Sequence, residues 1–137
     1  INDKITKIYE EETEYIVKEL ANDIIKNNCK FFGSSYEGRC IGTQSLTGIK
    51  SKLPIIIEES RNIIFFPTSS IRNQQSSWIA LNKIKYFSKS SIGPNGIITF
   101  KNHKTVPLNI SYYSLGNQIV RATMLQTKLY EKIKEEK

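Results

Sequence analysis

Soft metal ligands and reactive side chains are scarce: the 137 residues hold one histidine, His103, and two cysteines, Cys29 and Cys40. Their spacing matches no zinc pattern, and two cysteines make no disulfide framework, so neither a metal centre nor an oxidising compartment is expected. Long apolar runs are missing as well. Ile55-Ile56-Ile57 and Ile63-Ile64-Phe65-Phe66 are the longest, far short of a bilayer span. No basic, apolar and small-residue pattern opens the sequence, so no secretory signal is expected and a reducing cytoplasm is the default. Asn109-Ile110-Ser111 fits a glycosylation sequon, which carries little weight without such a signal. The most telling absence concerns charge of one sign: no Asp or Glu stands between Glu59 and Glu131.

What is present is the material of one folded domain, expected to cover residues 1–137. Apolar residues make up 39% and charged residues 24%, enough to bury a core. The formal net charge is +7. Residues 1–68 carry nine basic and ten acidic side chains, and residues 69–137 carry eleven basic and three acidic. Ordinary soluble surfaces intersperse the two signs. A long stretch with only cations therefore favours a polyanionic partner over a simple solvated surface. A membrane surface is disfavoured, because most of these cations fall on strand-like segments instead of an amphipathic helix.

Hydrophobic patterning predicts an α+β fold: a mostly antiparallel β-sheet with a short helix before a Gly-rich loop and a longer C-terminal helix. Residues 4–9 and 13–17 read as a β-hairpin around Glu10-Glu11-Glu12, followed by a helix over 20–29. The competing reading is one helix over 11–28. Gly33, Gly38 and Gly42 suggest a loop spanning Phe31–Arg39. Short apolar runs at 44–50, 55–58, 62–67, 78–88, 96–101 and 104–110 read as strands. Gly93-Pro94-Asn95-Gly96 is a turn, Asn102-His103 closes a tight hairpin, and Pro107 suits an edge or a bulge. Alternation along 78–89 places Trp78, Ala80, Ile84 and Tyr86 inward, and Lys83, Lys85 and Lys89 outward. It likewise turns Ile98 and Phe100 toward Val106, Leu108 and Ile110. In the last helix Ser114 is the expected N-cap. Ile119, Ala122, Leu129, Tyr130 and Ile133 form its apolar side, and Arg121, Lys128 and Lys132 a separate basic stripe.

Catalytic chemistry is poorly supplied. Gly33-Ser34-Ser35-Tyr36-Glu37-Gly38-Arg39-Cys40 approaches the phosphate-loop spacing, but Arg39 and Cys40 replace the essential Lys and Ser/Thr. A helix end, not a strand, is expected before it. No catalytic residue, metal or cofactor is therefore expected, and a phosphate-ester enzyme at this loop is a remote alternative. The same loop suits plain phosphate binding through backbone N–H groups, the Ser34 and Ser35 hydroxyls and the Arg39 fork, with Lys30 and Tyr36 beside it. A second polar loop, Ser69–Ser77, sets Arg72, Asn73 and Gln74 in a row. These residue types bond phosphates and the acceptor-only A·T edge of the minor groove. Lys83, Lys85, Arg121 and Lys128 are candidates for backbone contacts. An RNA-binding module that stacks bases on Tyr36, Tyr112 and Tyr113 is the alternative.

Cys29-Lys30-Phe31-Phe32-Gly33-Ser34-Ser35-Tyr36-Glu37-Gly38-Arg39 resembles the signature of the ComK family of bacterial competence transcription factors. Further matches follow in order: Lys52-Leu53-Pro54, Phe66-Pro67-Thr68, Trp78-Ile79, Ile110-Ser111-Tyr112, Ser114, Asn117-Gln118 and Arg121. The resemblance implies a DNA-binding transcription activator of competence genes that is associated with the nucleoid. It implies homodimers that pair on AT-rich promoter boxes of double-stranded DNA and approach through the minor groove. Cys40 and Ile41 depart from the more basic or small residues expected after the Gly-Arg pair. Family members carry more chain at both ends, and Ile1 in place of Met agrees with a longer natural protein. Contact with an adaptor of the Clp protease is an expectation for that full-length form.

Overall fold

The computed structural model describes residues 6–135. Lys4 and Ile5, where the first expected strand begins, and Glu136 lie outside the described residues. The chain runs β1 (Thr6–Tyr9), β2 (Glu14–Val17), α1 (Ala21–Phe31), α2 (Tyr36–Thr47), β3 (Ile55–Glu58), β4 (Ile63–Pro67) and β5 (Trp78–Ala80). A 3-10 turn (Leu81–Lys83) then leads to β6 (Ile84–Lys89), β7 (Asn95–Phe100), β8 (Thr105–Ser111) and α3 (Tyr112–Glu135). The strands form three antiparallel sheets, β1-β2, β3-β4-β5 and β6-β7-β8. The expected α+β architecture is therefore present, divided among more sheets and with one helix more.

That extra helix corrects the Gly-rich loop and the strand expected over 44–50. Ser35 Oγ accepts a hydrogen bond from Gly38 N at 3.0 Å and caps α2, while Gly48 at φ 78° ends it. Both are ordinary helix boundary signals. Gly42, inside the helix, costs about 1 kcal/mol relative to Ala. Packing offsets that cost: Thr43 is fully buried and its hydroxyl donates to the Pro54 carbonyl at 2.8 Å.

The long strand expected over 78–88 is likewise broken by the 3-10 turn. Ile79, not Trp78, is the buried residue of β5. A register shift follows between Ile84 and Tyr86, so Lys85 sits at an irregularity and Tyr86 faces out. The lysine row therefore does not form. The next hairpin keeps its expected inward face, with Ile98 opposite Val106 and both Ile98 and Ile110 buried, although the register shifts between Asn95 and Ile97. His103 at φ 71° supplies its left-handed turn residue, and Pro107 lies exposed on the edge strand β8.

Helix α3 closes the larger core. Ser111, one turn before Ser114, provides the cap, its Oγ accepting from Ser114 N at 3.1 Å. Leu115, Gln118, Ala122, Leu125 and Leu129 are buried at helical spacing. Tyr130 and Ile133, expected inside, lie exposed. The leucines meet Ile56, Ile64, Phe66, Ile79, Ile98 and Ile110 from both three-stranded sheets. Gly96 allows the approach, since a Cβ there would stand 2.6 Å from Leu115 Cδ2. A second core joins Ile25 and Cys29 of α1 to Leu53, Ile55 and Ile57, with Tyr36, Cys40 and Trp78 packed on it.

Gln118, only 2% exposed, is the one amide in the buried stripe of α3. Its Nε2 donates to Lys52 O at 3.0 Å and to Pro67 O at 2.8 Å. Replacing it by Leu leaves both carbonyls short of a donor, and each buried unsatisfied group costs about 1–3 kcal/mol. Gln118→Leu is expected to lower stability by about 2 kcal/mol or more in urea denaturation. An unchanged midpoint would contradict the burial of this amide.

Burial pushes the Cys29 and Cys40 thiols above the ordinary cysteine range. A raised pKa means that the proton is kept to higher pH, so both residues hold less thiolate than a free cysteine does. Alkylation by iodoacetamide at about pH 8 should therefore be slow in the native protein and fast in denaturant. Equal rates in the two states would show that the second core is open.

Candidate nucleic-acid interface

Three segments wall a groove of ≈ 470 Å³. Tyr36, Cys40 and Gln44 of α2 form one side at i, i+4 and i+8 spacing. Lys50, Ser51, Lys52 and Leu53 form the second, and Pro67, Ser70, Ile71 and Arg72 the third. Among the described residues no carboxylate lines it. Lys50, Lys52 and Arg72 are exposed, and among the described residues none of the three makes an ion pair. Three uncompensated cations around a concave, hydroxyl- and amide-bearing surface are suited to hold an anion.

The walls are held by buried amides. Lys52 adopts φ 51°, a left-handed conformation uncommon outside glycine, and Gln118 fixes its carbonyl. Arg121 reaches the same wall, its Nη1 3.4 Å from Ser51 O and 3.3 Å from Gln118 Oε1. On the other wall Asn22 of α1, 6% exposed, donates from Nδ2 to Ile71 O at 3.0 Å. Its Oδ1 accepts from Trp78 Nε1 at 2.7 Å. The Ser69–Ser77 loop is bonded within itself too. Asn73 N donates to Ser70 O, Gln75 N to Asn73 Oδ1, and Ser77 N to Thr68 Oγ1, all at 2.8–2.9 Å. Arg72 is thus carried on an ordered turn.

Tyr36 faces the groove at the start of α2. Its ring stands edge-on to Trp78 with centroids 6.5 Å apart, and Lys26 Nζ lies 5.6 Å from its centroid. Burial first, and the contact with Cys40 second, push its phenol above the ordinary range, so it remains a neutral O–H. Tyr112 packs on Phe87 at 5.3 Å and does not line the groove; of the Tyr112–Tyr113 pair only Tyr113 is exposed. The three tyrosines weighed for base stacking therefore share no platform in the groove.

Of the residues singled out in sequence, the groove gathers Tyr36 and Arg72, with Asn73 and Gln74 exposed on the same loop and Arg121 behind Ser51. The others lie elsewhere. Lys30 is exposed at the end of α1, and Ser34 and Ser35 are half-buried between the helices, the Ser35 hydroxyl occupied in capping. Arg39 turns inward, its side chain 15% exposed and Nη1 2.8 Å from Glu59 Oε1. A guanidinium so engaged is not presented as a free phosphate fork. Lys83 pairs with Glu11 at 3.1 Å, Lys128 stands 3.9 Å from Glu131, and Lys85 is exposed on β6. Sequence reasoning missed Lys50, Lys52, Gln44, Ser51 and Ser70. The only available signal was the doublet Lys50-Ser51-Lys52 before Pro54. Among the described residues no group of three His, Cys, Asp or Glu side chains is placed to hold a metal ion.

Comparison with known proteins follows the same direction as the motifs. A competence transcription factor of Bacillus subtilis (strain 168) is 39% identical over 128 residues, an alignment covering 93% of this chain. The chain spans 66% of the length of that relative. No solved structure matches the present chain. The family described as ComK protein matches residues 1–134, and the chain belongs to the ComK family.

Proposed function

We propose that this chain binds double-stranded DNA and serves as a transcription activator of competence genes, with the acid-free groove as its principal phosphate-contact surface. The observation that carries the reading is the trio Lys50, Lys52 and Arg72, exposed, without an ion pair among the described residues and held on fixed loops around one concavity. Backbone contact of this kind positions a protein on a duplex but does not by itself read sequence. Sequence reading falls to Arg72, Asn73 and Gln74, exposed on one loop and of the residue types that bond the acceptor-only minor-groove edge of A·T pairs. Arg121 and the exposed Lys30, Lys85 and Lys128 supply further positive potential around the molecule.

The rest of the reading follows from kinship. The relative's name is that of a transcription factor for competence, and the same role is proposed here, in the cytoplasm at the nucleoid, without catalysis or a cofactor. Homodimers that pair on AT-rich promoter boxes, and an adaptor of the Clp protease as partner of the full-length protein, complete the proposal. No helix of the described residues is long and apolar enough to cross a membrane.

Fluorescence-anisotropy titration of AT-rich and GC-rich duplexes across a salt series tests it. Each neutralised phosphate contributes about 0.9 to the slope of log K against log salt, so three groove cations give roughly −3 per chain. Lys50→Ala combined with Lys52→Ala should weaken binding to all duplexes and reduce the slope by about two. Arg72→Ala should erode the preference for A·T sites, by about 1–3 kcal/mol at the contacted position. A slope near zero removes the groove assignment. Unaltered A·T preference in Arg72→Ala removes the loop assignment.

A further inference from the structure

The acidic side chains near the N-terminus have a defined place. The β1–β2 hairpin carries Glu10, Glu11, Glu12 and Glu14 at and beside its turn. Glu11 Oε1 lies 3.1 Å from Lys83 Nζ, and Glu11 O accepts from Asn102 Nδ2 at 2.9 Å. Glu14 accepts from Lys104 and pairs with Lys7 at 3.1 Å. The hydrogen bond from Lys104, and then that from Lys7, holds the Glu14 carboxyl below its ordinary range.

Beneath these carboxylates the body presents a cationic cluster. Lys101 N donates to Lys83 O at 2.9 Å, which brings the 3-10 turn beside the β7–β8 turn. Lys83, Lys101, the Asn102 amide and Lys104 thus occupy one end of the β6-β7-β8 sheet, all within the stretch that lacks acid. Only the hairpin supplies their counter-charge: Lys83 and Lys104 have no ion-pair partner on the body among the described residues.

The hairpin is lightly held. Its strands have four residues each, and a two-stranded ribbon is marginal by itself in water. Ile16 is 73% exposed and Tyr9, on the same face, 41%, so that face is largely uncovered. The ion pairs are solvent-exposed, a class of contact that contributes little and weakens further with salt. A row of carboxylates lightly seated on lysines and an amide donor occupies the place that suits the phosphates of a duplex.

We infer that Lys83, Lys101, Asn102 and Lys104 form a second phosphate-binding surface, which Glu11 and Glu14 cover in the free protein and from which duplex DNA displaces the hairpin. The inference rests on the DNA-binding reading. It adds a surface separate from the groove and a competitor within the same chain.

A double-mutant cycle on this chain tests it, using one AT-rich duplex over several salt concentrations. The combined substitution Glu11→Gln and Glu14→Gln removes the competing charge without changing side-chain size. It should tighten binding by about tenfold at low salt and steepen the salt slope by about two. Adding Lys83→Gln and Lys104→Gln should abolish that gain. A second readout is amide hydrogen exchange of residues 6–17, which should accelerate when duplex is added. No gain from the glutamate substitutions overturns the inference, and so does a gain that survives loss of the lysines, since net charge alone would explain it. Unchanged exchange of the hairpin on DNA overturns displacement. Failure of the unmodified chain and every variant to bind duplex overturns the DNA reading itself, and the second surface with it.

Discussion

One buried amide sets the relation between the core and the cationic groove. Gln118 lies in a stripe of α3 that is otherwise leucine and alanine, where an unpartnered polar group would be costly. It is satisfied by two carbonyls distant in sequence, one from the loop before β3 and one from the end of β4. Helix α3 can make both bonds only in one rotation and one axial position. The same bonds fix Lys52 in its left-handed conformation and place Lys50 and Lys52 across from Arg72. Asn22 does the matching work from the other side, joining α1 to Ile71 and to Trp78. Two buried amides therefore convert apolar packing, which is tolerant of small shifts, into a defined loop geometry.

The charge distribution follows a simple physical division. Cations close together repel one another, and a folded chain relieves that cost with carboxylates or with solvent. Near the β6-β7-β8 sheet the relief comes from the hairpin, through Glu11 and Glu14. Arg39, whose side chain is only 15% exposed, is relieved by Glu59. Around the groove the described residues supply no carboxylate, and the cations depend on water and mobile ions. Displacement of such ions by a polyanion is entropically favourable, which is why an uncompensated concavity carries more weight than the total of +7.

Much of the fold was legible because its periodicities are strong. The β3, β4, β7 and β8 segments, the helix before residue 31 and the long last helix all stand where alternation or helical spacing puts them. The failures have identifiable causes. Glycines at 38 and 42 read as breakers, although Ser35 and Gly48 are ordinary helix boundaries, and tertiary packing overrode the low propensity. Parity along 78–89 failed because a 3-10 turn and a register shift reset the alternation. At the site, Arg72 was visible as a charged residue in a polar loop. Lys50 and Lys52 were not, since they precede the acid-free stretch that drew attention to charge. The inward turn of Arg39 and the pairing of Lys83 with Glu11 depend on contacts across 20 and 72 positions, which no local pattern encodes.

The order of the groove bears on what its loops can do. A loop that becomes ordered only on binding spends part of its interaction energy on lost conformational freedom, on the order of 1–2 kcal/mol for each backbone residue fixed. The segment from Thr68 to Ser77 avoids much of that cost. Its ends bond to each other, its centre closes an Asx turn at Asn73, and its flank is tied to Asn22. Arg72 and Gln74 are then exposed in their side chains and fixed in their backbone, while Asn73 spends its Oδ1 on the Asx turn. That combination suits reading a surface by shape, because the position of each donor is set before contact while its rotamer is still to be chosen. In the proposed reading, discrimination among duplexes comes from this prior fixing of the loop, and affinity comes from the lysines opposite it.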